Sequence, residues 1–301
     1  MFVKALCIGH AAYDITMRMM DYPKENIKYR VNNAVSCGGG PASNAAYLLS
    51  LWGINTYFAG VIGNDDNGKK IKEEFKKVNV NTRFLEVDKD NDTTISFVLI
   101  NAKNGSRTIF TKKNSSMKLT KEINIKPDLI LVDGEELEAS KKVIKNNPNA
   151  ITIIDAGRVR KETIELAKMV DYAICSKDFI EEYTNMKIDL KDKETLRIIF
   201  DKLTNDFKNV IITLEEDGAL YKCNNEIKQV PSIKVKQVDS TGAGDIFHGA
   251  FAYCMLKKYS LEKAIKISNI AGAISVTRLG GRYSMPSLKE VMSEYKKCLK
   301  N

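Results

Sequence analysis

Histidine is almost absent from this chain. Only His10 and His248 occur in 301 residues, which leaves little material for a histidine-based zinc centre or a Ser–His catalytic pair. Cysteine is present but unpaired in pattern: Cys7, Cys37, Cys175, Cys223, Cys254 and Cys298 stand far apart with no CxxC spacing. Several fall in apolar strand or helix patterns, so they read as buried, reduced thiols of an intracellular protein. No stretch approaches the ~18 consecutive apolar residues that a membrane helix needs. The opening run from Met1 to Gly9 is too short and strand-like for a secretory signal, so a cytoplasmic location is expected. There is no internal repeat and no low-complexity linker. The net charge is +9, but the lysines, such as Lys69, Lys70, Lys72, Lys76 and Lys77, alternate with glutamates on helical faces. Without an aromatic-interleaved basic stripe, a solvated surface is expected and nucleic acid and membrane are not expected as partners.

What is present is regular alternation. Apolar residues make up 44% and charged residues 28% of the chain, ordinary for a globular protein. Short apolar runs at Phe2–Ile8, Asn55–Ile62, Asp128–Val132, Ala150–Ile154, Tyr172–Cys175 and Val210–Leu214 read as strands. Helical patterns alternate with them, at Lys141–Lys145, Lys161–Lys168, Glu194–Leu203, Leu261–Thr277 and Leu288–Leu299. Such alternation specifies an α/β fold with a mostly parallel central sheet and helices on both faces. Ala219–Cys223 and Glu226–Val230 read as a hairpin. Residues 82–111 differ in texture: Phe84–Val87, Thr93–Asn101 and Arg107–Thr111 look like strands, with Asn104-Gly105 as a hairpin turn. With strands at 15–19 and 28–36, they predict a small β-sheet lid over a cleft. The division is a core of residues 1–12, 38–82 and 113–301, and a lid of residues 13–37 and 83–112.

One stretch organises the rest: Val238-Asp239-Ser240-Thr241-Gly242-Ala243-Gly244-Asp245-Ile246-Phe247-His248-Gly249-Ala250. A β-rich run, 233–238, precedes it and an apolar helical pattern follows. Gly242-Ala243-Gly244 therefore sits in a turn that opens a helix, where glycine permits a tight bend and close approach of a ligand. The first N–H groups of a helix lack internal partners and carry partial positive charge, which suits a phosphate. Asp245, in the same first turn, could take a proton from a hydroxyl that attacks phosphorus. The plainer alternative is structural glycines and an aspartate serving the helix dipole.

Two further turns bear on a ligand. Asp14 follows the first strand and faces the region where α/β sheets bind ligands; an Asx turn is the alternative. Cys37-Gly38-Gly39-Gly40-Pro41-Ala42-Ser43-Asn44 reads as a glycine turn opening a helix with Pro41 early in it, and Asn44 could cap the helix or bind a polar ligand. Gly63-Asn64-Asp65-Asp66-Asn67-Gly68-Lys69-Lys70 fits the GxxxxGK spacing, but Lys70 stands where a P-loop needs Ser or Thr, and Asp65 and Asp66 would repel phosphate. A helix start capped by Asn64 or Asp65 is the better reading.

Together these residues resemble the ribokinase-like, PfkB-type carbohydrate kinases over nearly the whole chain. The resemblance rests on Gly38–Ala46 continuing to Gly60–Gly68, on Val238–Ala250, and on Ala271–Gly281 with Ser284 and Pro286. It implies a three-layer α/β sandwich with a β lid, often a homodimer interface. It also implies transfer of the γ-phosphoryl group of ATP to a hydroxymethyl group of a sugar. By that resemblance Asp245 is the base and Gly242, Ala243 and Gly244 the anion hole. Asp14, Gly39, Gly40 and Asn44 would bind substrate hydroxyls, with Arg158 reaching an anionic group. Ser176, Thr213, Gly218 and Asn269 fall at the nucleotide site. Asp239, Thr241, Ser275, Arg278, Gly280 and Ser284 match a monovalent-cation site suited to K⁺, and Mg²⁺ is expected with ATP.

The sequence departs from the family pattern in places. Ser176-Lys177-Asp178-Phe179 stands where the family often has Asn-x-x-Glu, with Asp178 or Glu181 as substitutes. Thr213-Leu214-Glu215 replaces Thr-x-Gly. Pro41 stands where ribose kinases carry lysine, which argues against ribose, and the wording Gly244-Asp245-Ile246-Phe247-His248-Gly249-Ala250 resembles kinases of ketoses and of sulfonated or other modified sugars more than nucleoside kinases. The alternatives are a nucleoside kinase and a non-catalytic sugar- or nucleotide-binding regulator on the same fold.

Overall fold

The computed structural model describes residues 3–32, 34–114 and 116–300. Among them, a nine-stranded sheet forms the centre, and a second sheet of four strands covers one edge of its carboxyl end. The large sheet is built on β1 (Lys4–Ile8), β4 (Asn55–Gly63), β5 (Asn81–Asp88), β8 (Leu129–Val132), β9 (Ile151–Ala156), β10 (Tyr172–Ser176), β11 (Val210–Thr213), β12 (Ala219–Cys223) and β13 (Glu226–Val230). Their order is β13-β12-β11-β10-β9-β8-β1-β4-β5. All neighbours are parallel except at the antiparallel β11–β12–β13 edge. The strand expected from Phe2 begins at Lys4, and Phe2 lies outside the described residues.

Strands covered on both faces must be apolar on both, and β8, Leu-Ile-Leu-Val, is wholly buried. The alternation of β1 divides the core. Ala5 and Cys7 pack with α1 (Pro41–Leu51), α2 (Asp66–Lys77), α7 (Ala243–Leu256), α8 (Leu261–Ser275) and α9 (Leu288–Cys298). Leu6 and Ile8 face α3 (Leu137–Asn146), α4 (Lys161–Ala167), α5 (Lys177–Thr184) and α6 (Lys193–Asp206). This is a three-layer sandwich with two cores. Helix α7 is buried continuously from Ile246 to Cys254, as expected of a helix that is apolar on all sides.

The chain runs outward from β1 to β4 and β5, then returns to lay β8 on the other side of β1. The order reverses between β1 and β8, and ligands in such sheets bind beyond the strand ends at this point.

The small sheet is ordered β3-β2-β6-β7, from β2 (Ala12–Met19), β3 (Ala34–Gly39), β6 (Ile95–Asn101) and β7 (Arg107–Lys112). Strands β2 and β6 are parallel, and β2–β3 and β6–β7 antiparallel. Several sequence expectations need correction. Residues 83–88 belong to the large sheet, paired in parallel with β4, because Phe84 and Leu85 are needed to bury its edge. The strand expected at 28–36 starts only at Ala34; residues 28–32 are exposed or nearly so and form no strand. Gly38 and Gly39 extend β3 instead of forming a turn, and only Gly40, with φ 95°, turns the chain into α1. Residues 233–238 form no strand, and with residues 234–237 exposed the run has no buried face to hold it against a sheet. Asp14 lies inside β2. The P-loop spacing belongs to helix α2, where Asp65 caps the N-terminus by accepting from Gly68 N and exposed Lys69 pairs with Asp66.

Candidate active site

Helix α7 begins at Gly242, whose φ of 77° is left-handed, and no side chain caps it. The space beside Gly244 is open: a Cβ built there meets nothing within 4 Å. Ala243 N donates to Ser240 O at 3.4 Å, and the N–H groups of Gly242 and Gly244 remain at a helix N-terminus beside open space, a site suited to an anion. Half-buried Asp245 stands in this first turn. Its Oδ2 accepts a 2.7 Å hydrogen bond from Asn44 Nδ2. Asn44 is buried in the first turns of α1, so both helices begin at the same place.

Asp14 faces this pair from the small sheet. Its carboxylate fills the space in front of Gly39, where a Cβ would lie 2.0 Å from Oδ2, so a side chain at 39 would displace the Asp14 carboxylate. Burial pushes the Asp14 carboxyl up to about 6; the Asp245 and Glu74 charges add to the rise, while a hydrogen bond from Ser96 and the Arg282 charge oppose it. A carboxyl that is half protonated near pH 6 and ionised above it is typical of working sites.

The sequence reading missed Arg282 and Glu74. Arg282 is almost completely buried and donates from Nε to Asn44 Oδ1 (3.2 Å), from one terminal nitrogen to Glu74 Oε2 (2.7 Å), and from the other to Ser43 Oγ. Arg282 stands inside the run that carries the resemblance, between Gly281 and Ser284, but among so many surface cations nothing singles it out. Glu74 sits on the charged face of an amphipathic helix. His248 carries a signal, a polar ring in an otherwise apolar helix. Its Nδ1 is 3.2 Å from Asp155 Oδ2 and 2.5 Å from Gly244 O, and its Nε2 is 3.3 Å from Ile174 O. The Asp155 carboxyl is raised to about 6 by burial, opposed by His248 and reinforced by Asp245 and Asp133. Asp133, also buried, accepts from the backbone N–H groups of His10, Ala42 and Glu135 and so ties the ends of β1, α1 and β8 together.

The expected nucleotide residues continue along the carboxyl edge of the sheet. Ser176 and Thr213 are register partners on β10 and β11. Ser176 caps α5, accepting from Phe179 N and donating to Gly157 O. Gly218 (φ 88°) and Asn269 meet at Val230: a Cβ on Gly218 would lie 2.1 Å from Val230 O, to which Asn269 Nδ2 donates. Glu215 keeps a left-handed φ of 53° although it is not glycine. Of the two substitutes for the missing glutamate, Glu181 is committed to Lys187 and Ile188 N, whereas Asp178 is exposed. Arg158 is exposed between β9 and α4. Arg107, on the small sheet, donates to the carbonyl and hydroxyl of Ser240, and Ser240 Oγ donates to Gly105 O.

The expected cation residues form a laced pair of loops. Buried Asp239 accepts from Thr241 N and Gly280 N, each at 2.8 Å. Ser275 and Ser284 hydroxyls donate to Gly272 O and Gly281 O, and the Arg278 side chain leaves towards Glu290. Thr241 Oγ1 is buried without a partner, an orphaned oxygen that fits a small monovalent cation. Among the described residues no cluster of His, Cys, Asp and Glu could by itself hold a metal ion, and no helix is long and apolar enough to cross a membrane.

Comparison with known proteins agrees with this fold. The model of the pfkB family of carbohydrate kinases matches residues 4–288. A ribokinase of Staphylococcus aureus (strain COL) is 26% identical, over 96% of this chain and 98% of its own length. A nucleoside kinase of Methanocaldococcus jannaschii is 22% identical, over 98% and 97%. The solved structure of Arabidopsis thaliana ribokinase complexed with ribose and ATP superposes with a TM-score of 0.80 at 24% identity, covering 97% of this chain and 98% of that one.

Proposed function

The chain belongs to the pfkB family of carbohydrate kinases, and we propose from that premise that its cleft moves the γ-phosphoryl group of ATP to a hydroxymethyl group of a sugar, with a ketose or modified sugar favoured. One observation carries the proposal: Asp245, held at Oδ2 by Asn44, stands in the first turn of an uncapped helix that opens on free space at Gly244. The remaining oxygen of Asp245 is the base that accepts the hydroxyl proton. The N–H groups at 242–244 stabilise the charge on the migrating phosphoryl group. Asp14, Asn44 and the backbone at Gly39 and Gly40 orient the sugar, and Arg158 is available to an anionic substituent. Ser176, Thr213, Gly218 and Asn269 line the nucleotide side. The small sheet excludes water that would otherwise hydrolyse ATP.

Asp178 is the carboxylate that would reach the water shell of a Mg²⁺ bound with ATP, and such an ion would supply neutralisation of the phosphate oxygens. A K⁺-like ion is assigned to Thr241 Oγ1 and the carbonyls around Asp239, Ser275, Arg278, Gly280 and Ser284, where it would strengthen the positive field behind the anion hole. The outer face of the small sheet carries exposed Phe97 and Phe110, which are cross-strand partners, and is proposed as a homodimer surface. A nucleoside acceptor is the second reading, supported by the archaeal nucleoside kinase among the relatives.

The test is ADP release from Mg·ATP, with K⁺ present, across sugars, sugar acids, sugar phosphates and nucleosides. One compound should stimulate strongly, and Asp245→Asn should lower kcat by roughly 10²–10⁴-fold with ATP binding retained. Full turnover in that variant would remove Asp245 as the base.

A further inference from the structure

We infer that Arg282 is a positioning residue: through Asn44 it fixes which oxygen of Asp245 faces the substrate. The inference rests on the kinase reading above and on the hydrogen-bond chemistry of one buried chain of groups. An arginine Nε–H can only donate, so the Asn44 atom 3.2 Å from it must be the carbonyl oxygen. An ionised carboxylate can only accept, so the Asn44 atom 2.7 Å from Asp245 Oδ2 must be the amide nitrogen. Both neighbours demand the same amide orientation. Flipping Asn44 would set a carbonyl against a carboxylate and an NH₂ against a guanidinium. The amide therefore transmits the placement of Arg282 to Asp245. It also leaves Asn44 with one amide hydrogen for a ligand, so the substrate atom it meets there must be an acceptor.

The guanidinium is held from several sides. Its side chain is 2% exposed and pairs with Glu74 at 2.7 Å. The same Glu74 carboxylate accepts from Gly38 N, which ties α2 to β3. The rings of Tyr47 and Phe75 lie 5.0 and 4.7 Å from the guanidinium carbon. A Cβ on Gly38 would come within 2.2 Å of Arg282 Nη1, so the backbone of β3 also walls the guanidinium in. The ion pair is satisfied at every point the argument uses, and a buried arrangement of this kind is better evidence for specificity of geometry than for stability. Asp14 lies in the same field, faced by Arg282, by Glu74 from α2, by Asp245 from α7 and by Ser96 from β6.

Two readouts test this, one of which needs no turnover. In protein with ¹⁵N-labelled asparagine, the Asn44 side chain should give a slowly exchanging amide signal that moves in Asp245→Asn and collapses to a fast-exchanging one in Arg282→Gln. With the stimulating substrate, Arg282→Gln should lower kcat about 10²-fold, the scale of a misplaced reacting group. Its ATP KM should stay within about twofold of wild type. The acid limb of kcat/KM should move up in Arg282→Gln, where a cation facing Asp14 is lost, and down in Glu74→Gln, where an anion is lost. A residue that only supports the fold would not move that limb in opposite directions. Should Arg282→Gln not fold, the double variant Glu74→Gln/Arg282→Gln removes both charges together and must show the same loss of the amide signal. An unchanged amide signal with unchanged kcat overturns the inference and leaves the kinase reading intact. Loss of the signal in the variants, with no phosphoryl transfer by the wild type, upholds the positioning and overturns the kinase reading.

Discussion

Asp14 should cost the protein stability at neutral pH. In the unfolded chain its carboxyl ionises near the ordinary 3.8, whereas in the folded protein burial raises it to about 6. Between those values the native state binds more protons than the unfolded state, so stability falls as pH rises through that window. The difference is roughly two units, and at about 1.4 kcal/mol per unit the full penalty is about 3 kcal/mol. Asp14 is partly open to the cleft, and water there trims the figure to roughly 2–3 kcal/mol. The substitution Asp14→Asn keeps the shape and cannot ionise. Urea denaturation of wild type and variant at pH 4 and pH 7.5 isolates the effect. The variant should gain about 2–3 kcal/mol relative to wild type between the two pH values, while its sugar kinase activity falls. The wild-type kcat/KM for sugar should fall as pH drops through about 6, as the carboxylate takes up a proton. If Asp14→Asn had the same stability relative to wild type at both pH values, the reasoning would be refuted, because no proton uptake would then accompany folding in that window.

Other outcomes follow from single positions. Glu215 holds a left-handed φ of 53°, so Glu215→Gly should stabilise by about 1 kcal/mol, read as an increased urea midpoint; a decrease would mean that the Glu215 side chain contributes more than its backbone costs. Thr241→Val removes the orphaned hydroxyl: K⁺, compared with tetramethylammonium at equal ionic strength, should raise the Tm of wild type and leave the variant unmoved. An equal response in both would place the cation elsewhere. Phe110→Glu puts a charge on the exposed face of the small sheet and should shift sedimentation from dimer to monomer, whereas a monomeric wild type would discard that interface.

The fold is legible where its signals are local. β8 is a pure apolar run, Ser287 and Glu290 form a complete capping box at α9, and the β12–β13 hairpin occupies the residues its pattern marks. The partners of a strand are not local, which is why 83–88 groups by pattern with its neighbours in sequence while its hydrogen bonds go to β4. The same divide runs through the site. Asp245 and the glycines before it announce themselves by spacing within one turn. Arg282 acts on Asn44 across 238 residues and Glu74 across 208, and nothing local distinguishes a buried arginine from a solvated one.

The small sheet leaves and re-enters the core through four connections, at 9–11, at Gly40, at 89–94 and at 113–128. Two of these are no longer than a few residues. One short strap leads directly from β1 and the other directly into α1, the helix that carries Asn44. The Arg107–Ser240 contact adds a further tie to the segment just before Gly242. A cover moored this closely cannot swing like a flap on one hinge. On the proposed function, any closure over a sugar would be a small tilt that pulls on α1 and on the approach to α7 together, so that the sugar would be registered mechanically at both helix starts before phosphate moves.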